Sequence, residues 1–369
     1  MGVRWLPPTA CVGSMGMPET PSTTESTVDA VLILSFGGPE RPEDVMDFLR
    51  NVTRGRDVPD ERLAEVAEQY ALFGGRSPIN DQCRDLAAAL VERLAATGHD
   101  LPVYFGARNW HPFVTDTVRR MTDDGVRHAA VFVTSAFGSY SGCRQYREDL
   151  ARARDEVGAG APELTKLRLF YNHPGFIDPL VDNLAAGLER LSSLRNVQVL
   201  FSAHSIPVSM AAGCDYEDQL AEAAELVLDR LEAAGHDRPE HDIVYQSRSG
   251  PPQVPWLEPD INDHLPALAG ADDAPDGVVV VPLGFTSDHM EVLFDLDTQA
   301  AQTAAELGLA FERVPSVGLD PRYVDMIVGL VDEIAAGVTP VAIGSHGPWP
   351  FVCPDGHCAP PQRLARPPA

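Results

Sequence analysis

Lysine is all but missing from this chain. Lys166 is the one lysine among 28 basic residues, and these face 54 aspartates and glutamates for a formal net charge of −26. A surface this acidic, with no basic stripe, excludes nucleic acid and anionic lipid as partners, because both are held by clustered positive charge. No basic amphipathic helix is evident, so association with a membrane surface is not expected. The preference for arginine over lysine reads as genome composition rather than chemistry. Long apolar runs are missing too: none reaches the roughly 18–20 residues that cross a bilayer. Residues 1–29 carry Arg4 but no apolar core ending in a small-residue cleavage site. They read as a disordered tail and not a signal peptide, and the chain as cytoplasmic. Cysteine is scarce, at six residues. In a reducing compartment these are expected as free thiols or metal ligands, not disulfides. Nucleotide signatures are absent as well: FGGPE (36–40) has neither the G-x-x-x-x-G-K-S/T nor the G-x-G-x-x-G pattern, so no nucleotide is expected.

What is present is an ordinary globular composition, 44% apolar and 22% charged, in 369 residues. That is enough for a large core and for two or three domains, or two halves of one unit. Short apolar runs recur at 31–36, 103–107, 129–137, 167–171, 197–203, 242–247, 278–285 and 311–317. They do not alternate polar with apolar residues, as expected of strands covered on both faces, so the sheets should be parallel. Helix-length segments lie between them, among them 60–72, 82–97, 112–124, 144–156, 176–193, 216–234, 289–307 and 321–336. The pattern predicts an α/β fold of two Rossmann-like halves, each a four-stranded parallel sheet flanked by helices. The expected bounds are 30–175 and 176–345, followed by a cysteine-containing segment, 346–369.

Ligands of such sheets bind beyond the carboxyl ends of the strands, which directs attention to the loops there. His204 closes an apolar strand, and Pro207 prevents a regular continuation. A neutral imidazole at that point can accept a proton or ligate a metal, or it can simply pack. In Ser287-Asp288-His289-Met290-Glu291, Ser287 or Asp288 is the expected N-cap of the helix over 289–307. Asp288, Glu291 and Asp295 then share one helical face by their i, i+3, i+7 spacing. Such a row is either a solvated face or a path for a hard cation. Cys353 and Cys358, with His357 between them, sit among Pro and Gly near the end of the chain. They supply at most three ligands of a metal site and match no standard zinc or ferredoxin spacing, which makes Cys143 a candidate partner. The rival is a flexible tail with incidental thiols. Cys11, Cys83 and Cys214 look unremarkable.

Eight segments together resemble the ferrochelatase family. They are LSFGGPE (34–40), NVTRGRDVP (51–59), FGGRSPIN (73–80), YFGARNW (104–110), SGCRQYRED (141–149), FSAHSIP (201–207), QSRSGPPQVPWLEP (246–259) and PLGFTSDHMEVLFDLD (282–297). They run in family order, and the cysteines look most like the actinobacterial branch, whose members act on coproporphyrin III. The resemblance implies a chelatase-like fold and a lyase of haem biosynthesis that inserts Fe2+ into a free-base porphyrin, with no nucleotide. It implies His204 as the metal-site histidine and Glu291 as the opposing carboxylate, with Asp288 and His289 beside it. Asp295 continues a metal or proton path that breaks at Gln299. Arg54, Ser77 and Tyr146 match the positions that bind the porphyrin carboxylates, Arg56 being the alternative alignment for the first. Phe36 stands where coproporphyrin-type relatives can carry an iron-ligating Tyr, and would pack on the macrocycle. Some relatives hold a [2Fe–2S] cluster on one mid-chain and three C-terminal cysteines. Cys143, Cys353 and Cys358 match three of these, and His357 takes the fourth place. Haem-pathway enzymes are the implied partners. The alternative reading is a non-catalytic tetrapyrrole or haem carrier on the same fold.

Overall fold

The computed structural model describes residues 28–55, 58–250 and 253–360. Most of the tail expected over 1–29, with Cys11, lies outside the described residues, as does Arg56. Val28 is already buried, and the Asp29 carboxylate accepts from the backbone of Arg127 and His128. Eight strands follow: β1 (Ala30–Ser35), β2 (Val103–Ala107), β3 (His128–Val133), β4 (Glu163–Lys166), β5 (Val197–His204), β6 (His241–Gln246), β7 (Gly277–Val281) and β8 (Ala310–Arg313). They form two four-stranded sheets, ordered β2-β1-β3-β4 and β6-β5-β7-β8, with every pairing parallel. β1, β3 and β7 are buried at every position, which is why their sequences show no alternation.

The two sheets repeat one strand order. In each, the chain starts in the middle, moves to one side and then returns to the other. The order reverses between β1 and β3, and again between β5 and β7, and each reversal opens a crevice at the strands' carboxyl ends. One apolar cluster unites the halves: Ile33 and Phe132 of the first sheet share it with Phe201 and Val281 of the second. The helix Pro321–Ala335 follows β8 but packs on the helices Ile79–Ala96 and Pro174–Arg190 between the sheets. Near its end Glu333 pairs with Arg168 through two hydrogen bonds of 2.7 and 2.8 Å, both side chains being almost wholly buried.

Two expectations change. The strand predicted over 167–171 is instead Glu163–Lys166. Leu167, Leu169, Phe170 and Tyr171 are apolar because they run on into the core between the halves. An apolar run reports burial, not a hydrogen-bonded ladder. The single helix expected over 289–307 is three pieces: a short α turn Met290–Val292, a π-helical stretch Leu293–Ala300, and an α-helix Ala301–Leu307. A second π-helical turn, Tyr140–Arg144, follows β3. β3 and β7 are equivalent strands of the two sheets, so each π segment leads from the same topological place. The helix Val45–Val52, which the sequence pattern does not predict, precedes Asp60–Ala71 and walls one side of the second crevice.

Candidate active site

His204 is the last residue of β5, half-buried, at the β5/β7 reversal. Its Nδ1 lies 2.5 Å from the Ser205 carbonyl oxygen. A carbonyl only accepts, so Nδ1 carries the proton and Nε2 keeps a free lone pair. The backbone is fixed from behind: the Tyr216 hydroxyl donates to the His204 carbonyl at 3.0 Å, and the Ser205 hydroxyl to that of Leu257 at 2.8 Å.

Across the crevice is the segment after β7. The helix there starts one residue later than expected, with His289 as its N-cap. Asp288 therefore lies outside the helix. Its carboxylate accepts from Arg313 at 2.8 Å and from the Ser316 amide at 3.1 Å. This corrects the expected row: Asp288 anchors the loop to β8 and leaves Glu291 and Asp295 as the facing carboxylates. Glu291 is exposed. Asp295 is half-buried and accepts from Ser247, and from Gln246 Nε2 at 3.3 Å. Burial, reinforced by the Glu291 charge, pushes the Asp295 carboxyl up to about 6, against the pull of Ser247, His204 and Gln246. Burial also holds the His289 imidazole below its usual value, the Glu291 charge opposing and His204 adding. His289 and Asp295 thus lie in the fields of both His204 and Glu291. Gln246 and Ser247, which hold the Asp295 carboxylate, are not among the candidate site residues read from the sequence. They open the segment QSRSGPPQVPWLEP (246–259), which marks the loop after β6 but not what these two side chains touch. Ser247 holds φ at +62°, a region that non-glycine residues rarely enter and that recurs at functional sites.

One wall is apolar and aromatic. Phe48, Leu49, Leu63 and Tyr70 pack against Met290 and Phe294. Phe48 meets Phe36, Tyr70 and Trp110 edge-on at 6.0–6.3 Å. Burial, with the Glu291 charge adding, raises the Tyr70 phenol well above its usual value. Phe36 remains 39% exposed just beyond β1, a face on which a flat aromatic molecule can stack. Arg54 is exposed and hydrogen-bonds Asn51.

Ser77 and Tyr146 are not beside it on an open rim. Ser77 is buried below Gly38, where a Cβ would come within 2.7 Å of the Ser77 Cβ. Tyr146 is buried in the outer core of the first sheet, with the Arg108 guanidinium 5.0 Å from its ring centre. The resemblance aligned these residues by sequence, which does not register the cover that Gly38 and Arg108 supply.

The cysteine-containing segment is not a loose tail. Asn172 donates to the Gly347 carbonyl at 2.8 Å, Arg147 to that of Phe351, and the Cys358 amide to that of Gly213 at 2.9 Å. Glu222 accepts from Ser345 and His346. These bonds outweigh its burial and bring the carboxyl down to about 2. Cys143 and Cys358 are buried, and Cys353 lies against Cys143. His357 does not join them: its Nε2 faces Asp215 at 3.8 Å, and its ring lies 5.7 Å from Trp349. Cys214, unremarkable in the sequence, lies against Cys358. Among the described residues no three His, Cys, Asp or Glu side chains are grouped to hold one ion, and the thiols stand two by two.

A family model described as Ferrochelatase matches residues 28–335. A coproporphyrin III ferrochelatase of Nocardia farcinica is 52% identical, covering 92% of this chain and 98% of its own. One of Frankia alni is 52% identical, covering 93% and 90%. A ferrochelatase of Rhodopirellula baltica is 51% identical, covering 89% and 93%. Among solved structures, SirB of Bacillus subtilis with Fe3+ has a TM-score of 0.50 at 13% identity, over 84% of this chain and 97% of that one, a likeness of fold. The match over residues 28–335, together with these relatives, means that the chain belongs to the ferrochelatase family.

Proposed function

We propose that this protein inserts Fe2+ into coproporphyrin III, as the names of its Nocardia and Frankia relatives describe for them. The observation that supports this most directly is that Asp295, beside an aromatic wall, lies in the fields of both Glu291 and His204, whose Nδ1 is taken by the Ser205 carbonyl. Metal insertion requires that two pyrrole N–H protons leave as the ion enters. A neutral imidazole supplies a base suited to that near neutral pH. Oxygen donors deliver a borderline cation and let it go, where thiolates would trap it. Glu291, exposed at the mouth, is the entry ligand. Asp295, titrating near 6 and held by Ser247 and Gln246, receives protons and returns them to water. Phe36 carries the macrocycle face, and Arg54 is the charge partner of its carboxylates. A planar porphyrin hides its nitrogen lone pairs, so binding it puckered moves the substrate towards the transition state.

The cysteine-containing segment supports a [2Fe–2S] cluster as the resident cofactor. The thiols are free, buried or half-buried, and set in pairs, as a two-iron cluster requires. Metal insertion transfers no electrons, so the cluster would act as a cross-link or a sensor, tying residues 345–358 to the helices that carry Cys143 and Glu222. None of the described helices is long and apolar enough to cross a membrane, and we keep the reading of a cytoplasmic enzyme that takes substrate from a haem-pathway partner.

The test is anaerobic Fe2+ insertion followed by absorbance, with coproporphyrin III and protoporphyrin IX compared at matched concentration. Faster turnover of coproporphyrin III is expected. Metalation of neither porphyrin would leave only a tetrapyrrole carrier.

A further inference from the structure

The cluster reading leaves its fourth ligand open, and the packing around Cys358 identifies one. Four free thiols stand as two touching pairs. Cys143 and Cys353 lie within hydrogen-bond reach of one another, and so do Cys214 and Cys358. The pairs adjoin, since Cys358 lies in the field of both Cys143 and Cys353. Each sulfur comes from a different piece of chain. Cys143 is in the π-helical turn after β3, Cys214 in the turn before the helix Tyr216–Ala233, and Cys353 and Cys358 in the docked segment. Cys214 Sγ is turned towards the Met210 and Ala211 carbonyls at 3.3 and 3.5 Å, and the next carbonyl but one, that of Gly213, holds the Cys358 amide at 2.9 Å. That bond seats Cys358 at φ +52°, an uncommon conformation for a residue with a side chain. His357, directed at Asp215 and Trp349, takes no part.

We infer that Cys214, and not His357, completes a site of four thiolates, with Cys143 and Cys353 on one iron of a [2Fe–2S] cluster and Cys214 and Cys358 on the other.

A second observation concerns charge. Among the described residues every arginine and lysine has a carboxylate partner except Arg54, Arg147, Arg154 and Lys166. Arg54 is the proposed charge partner of the porphyrin carboxylates. The other three line one cavity of about 170 Å3 beside the first thiol pair. Acids outnumber bases nearly two to one in this chain, so three neighbouring cations without a carboxylate are unusual. Lys166 and Arg147 act instead on Cys143, and Arg147 also on Cys353. A cluster on four thiolates carries one more negative charge than one on three thiolates and a neutral imidazole. Two buried or half-buried cations beside it suit the more negative set.

The inference rests on the cluster reading, and the experiment separates the two. Wild type, Cys214→Ser, Cys214→Ala, His357→Ala and, as a thiol-loss control, Cys83→Ala are purified without oxygen. Iron and acid-labile sulfide are counted, and the dithionite-reduced EPR spectrum is recorded. Wild type, Cys83→Ala and His357→Ala should each hold about two iron and two sulfide with one common spectrum. Cys214→Ala should lose most of both, and Cys214→Ser should lose them or shift the EPR signal through oxygen ligation. Loss in His357→Ala with retention in both Cys214 variants would overturn the assignment and leave the cluster standing. No sulfide in wild type, even after reconstitution, would overturn both. Folding is controlled by a second readout on metal-free wild type. Mild diamide oxidation and peptide mapping should recover Cys143–Cys353 and Cys214–Cys358 disulfides, and exchanged partners would contradict the pairing.

Discussion

The Ser247 hydroxyl donates to the Asp295 carboxylate from a backbone held at φ +62°. That bond and the one from Gln246 keep a half-buried carboxyl from rising further than about 6. Asp295 must be ionised to receive a proton, so kcat/KM should fall as pH drops through about 6. Asp295→Asn should remove that limb and cost at least about tenfold in rate. Ser247→Ala, which deletes a bond that lowers the pKa, should move the limb to higher pH. A limb unmoved in both variants would assign it to another group.

The same carboxyl makes a prediction about stability. Its pKa is raised from 3.8 to about 6 on folding, so the native state holds the extra proton between those values. Stability should therefore fall as pH rises from about 4 to about 6. Asp295→Asn never ionises. Above pH 6 it should be more stable than the parent by about 1–2 kcal/mol, and near pH 4 the two should converge, as read by urea denaturation at each pH.

His204→Ala removes the free imidazole nitrogen without touching the aromatic wall. Turnover should drop by about 10²–10⁴ while porphyrin binding, read by tryptophan quenching, changes little. A parallel loss of binding would mean that His204 holds the macrocycle and does not act as its base.

How far the sequence reaches is visible residue by residue. β1 and β7 are legible because complete burial leaves an unbroken apolar run. His204 and Glu291 are legible because they follow such runs. Asp288 looked like their partner on a helical face, but the helix starts at Met290 and then widens to π geometry, and a spacing argument that assumes 3.6 residues per turn cannot register either change. Tyr146 and Ser77 match family positions by sequence, and both are buried in the fold. Cys214 is the reverse case: nothing near it in the sequence is unusual, and it gains meaning only because Gly213 binds the Cys358 amide, some 145 residues further on.

Arg168 and Glu333 form the most buried ion pair in the contact between the helix Pro321–Ala335 and the first half, with side chains 1% and 4% exposed. Glu333→Gln should cost about 3–5 kcal/mol, because it leaves the guanidinium buried without its counter-charge. The paired replacement of Arg168→Met with Glu333→Leu should recover much of that loss. Denaturant midpoints of the single and double variants decide whether the pair stabilises or merely avoids a penalty.

Arg54 is exposed and among the described residues has no carboxylate partner, so removing it strands no buried charge. If it meets the porphyrin carboxylates, Arg54→Ala should raise KM for coproporphyrin III by about 5–30-fold and leave kcat nearly unchanged, since the contact is equal in ground and transition states. The effect should shrink with added salt, as expected of an exposed pair. A fall in kcat at constant KM would place Arg54 in the insertion step instead.

Phe36 is 39% exposed beyond β1, edge-on to Phe48, and offers a ring but no ligating atom. An axial ligand of the product iron would come from elsewhere, a water or the His204 imidazole. Phe36→Tyr adds a phenol without altering the ring contact. With ferric product bound, the phenolate should displace the axial ligand or occupy the opposite face, which adds a charge-transfer band to the visible spectrum. Product should leave more slowly, lowering kcat under multiple turnover while single-turnover insertion stays close to wild type. An unchanged product spectrum in Phe36→Tyr would mean that residue 36 does not face the metal, and the aromatic wall would then bind the macrocycle edge instead of its face.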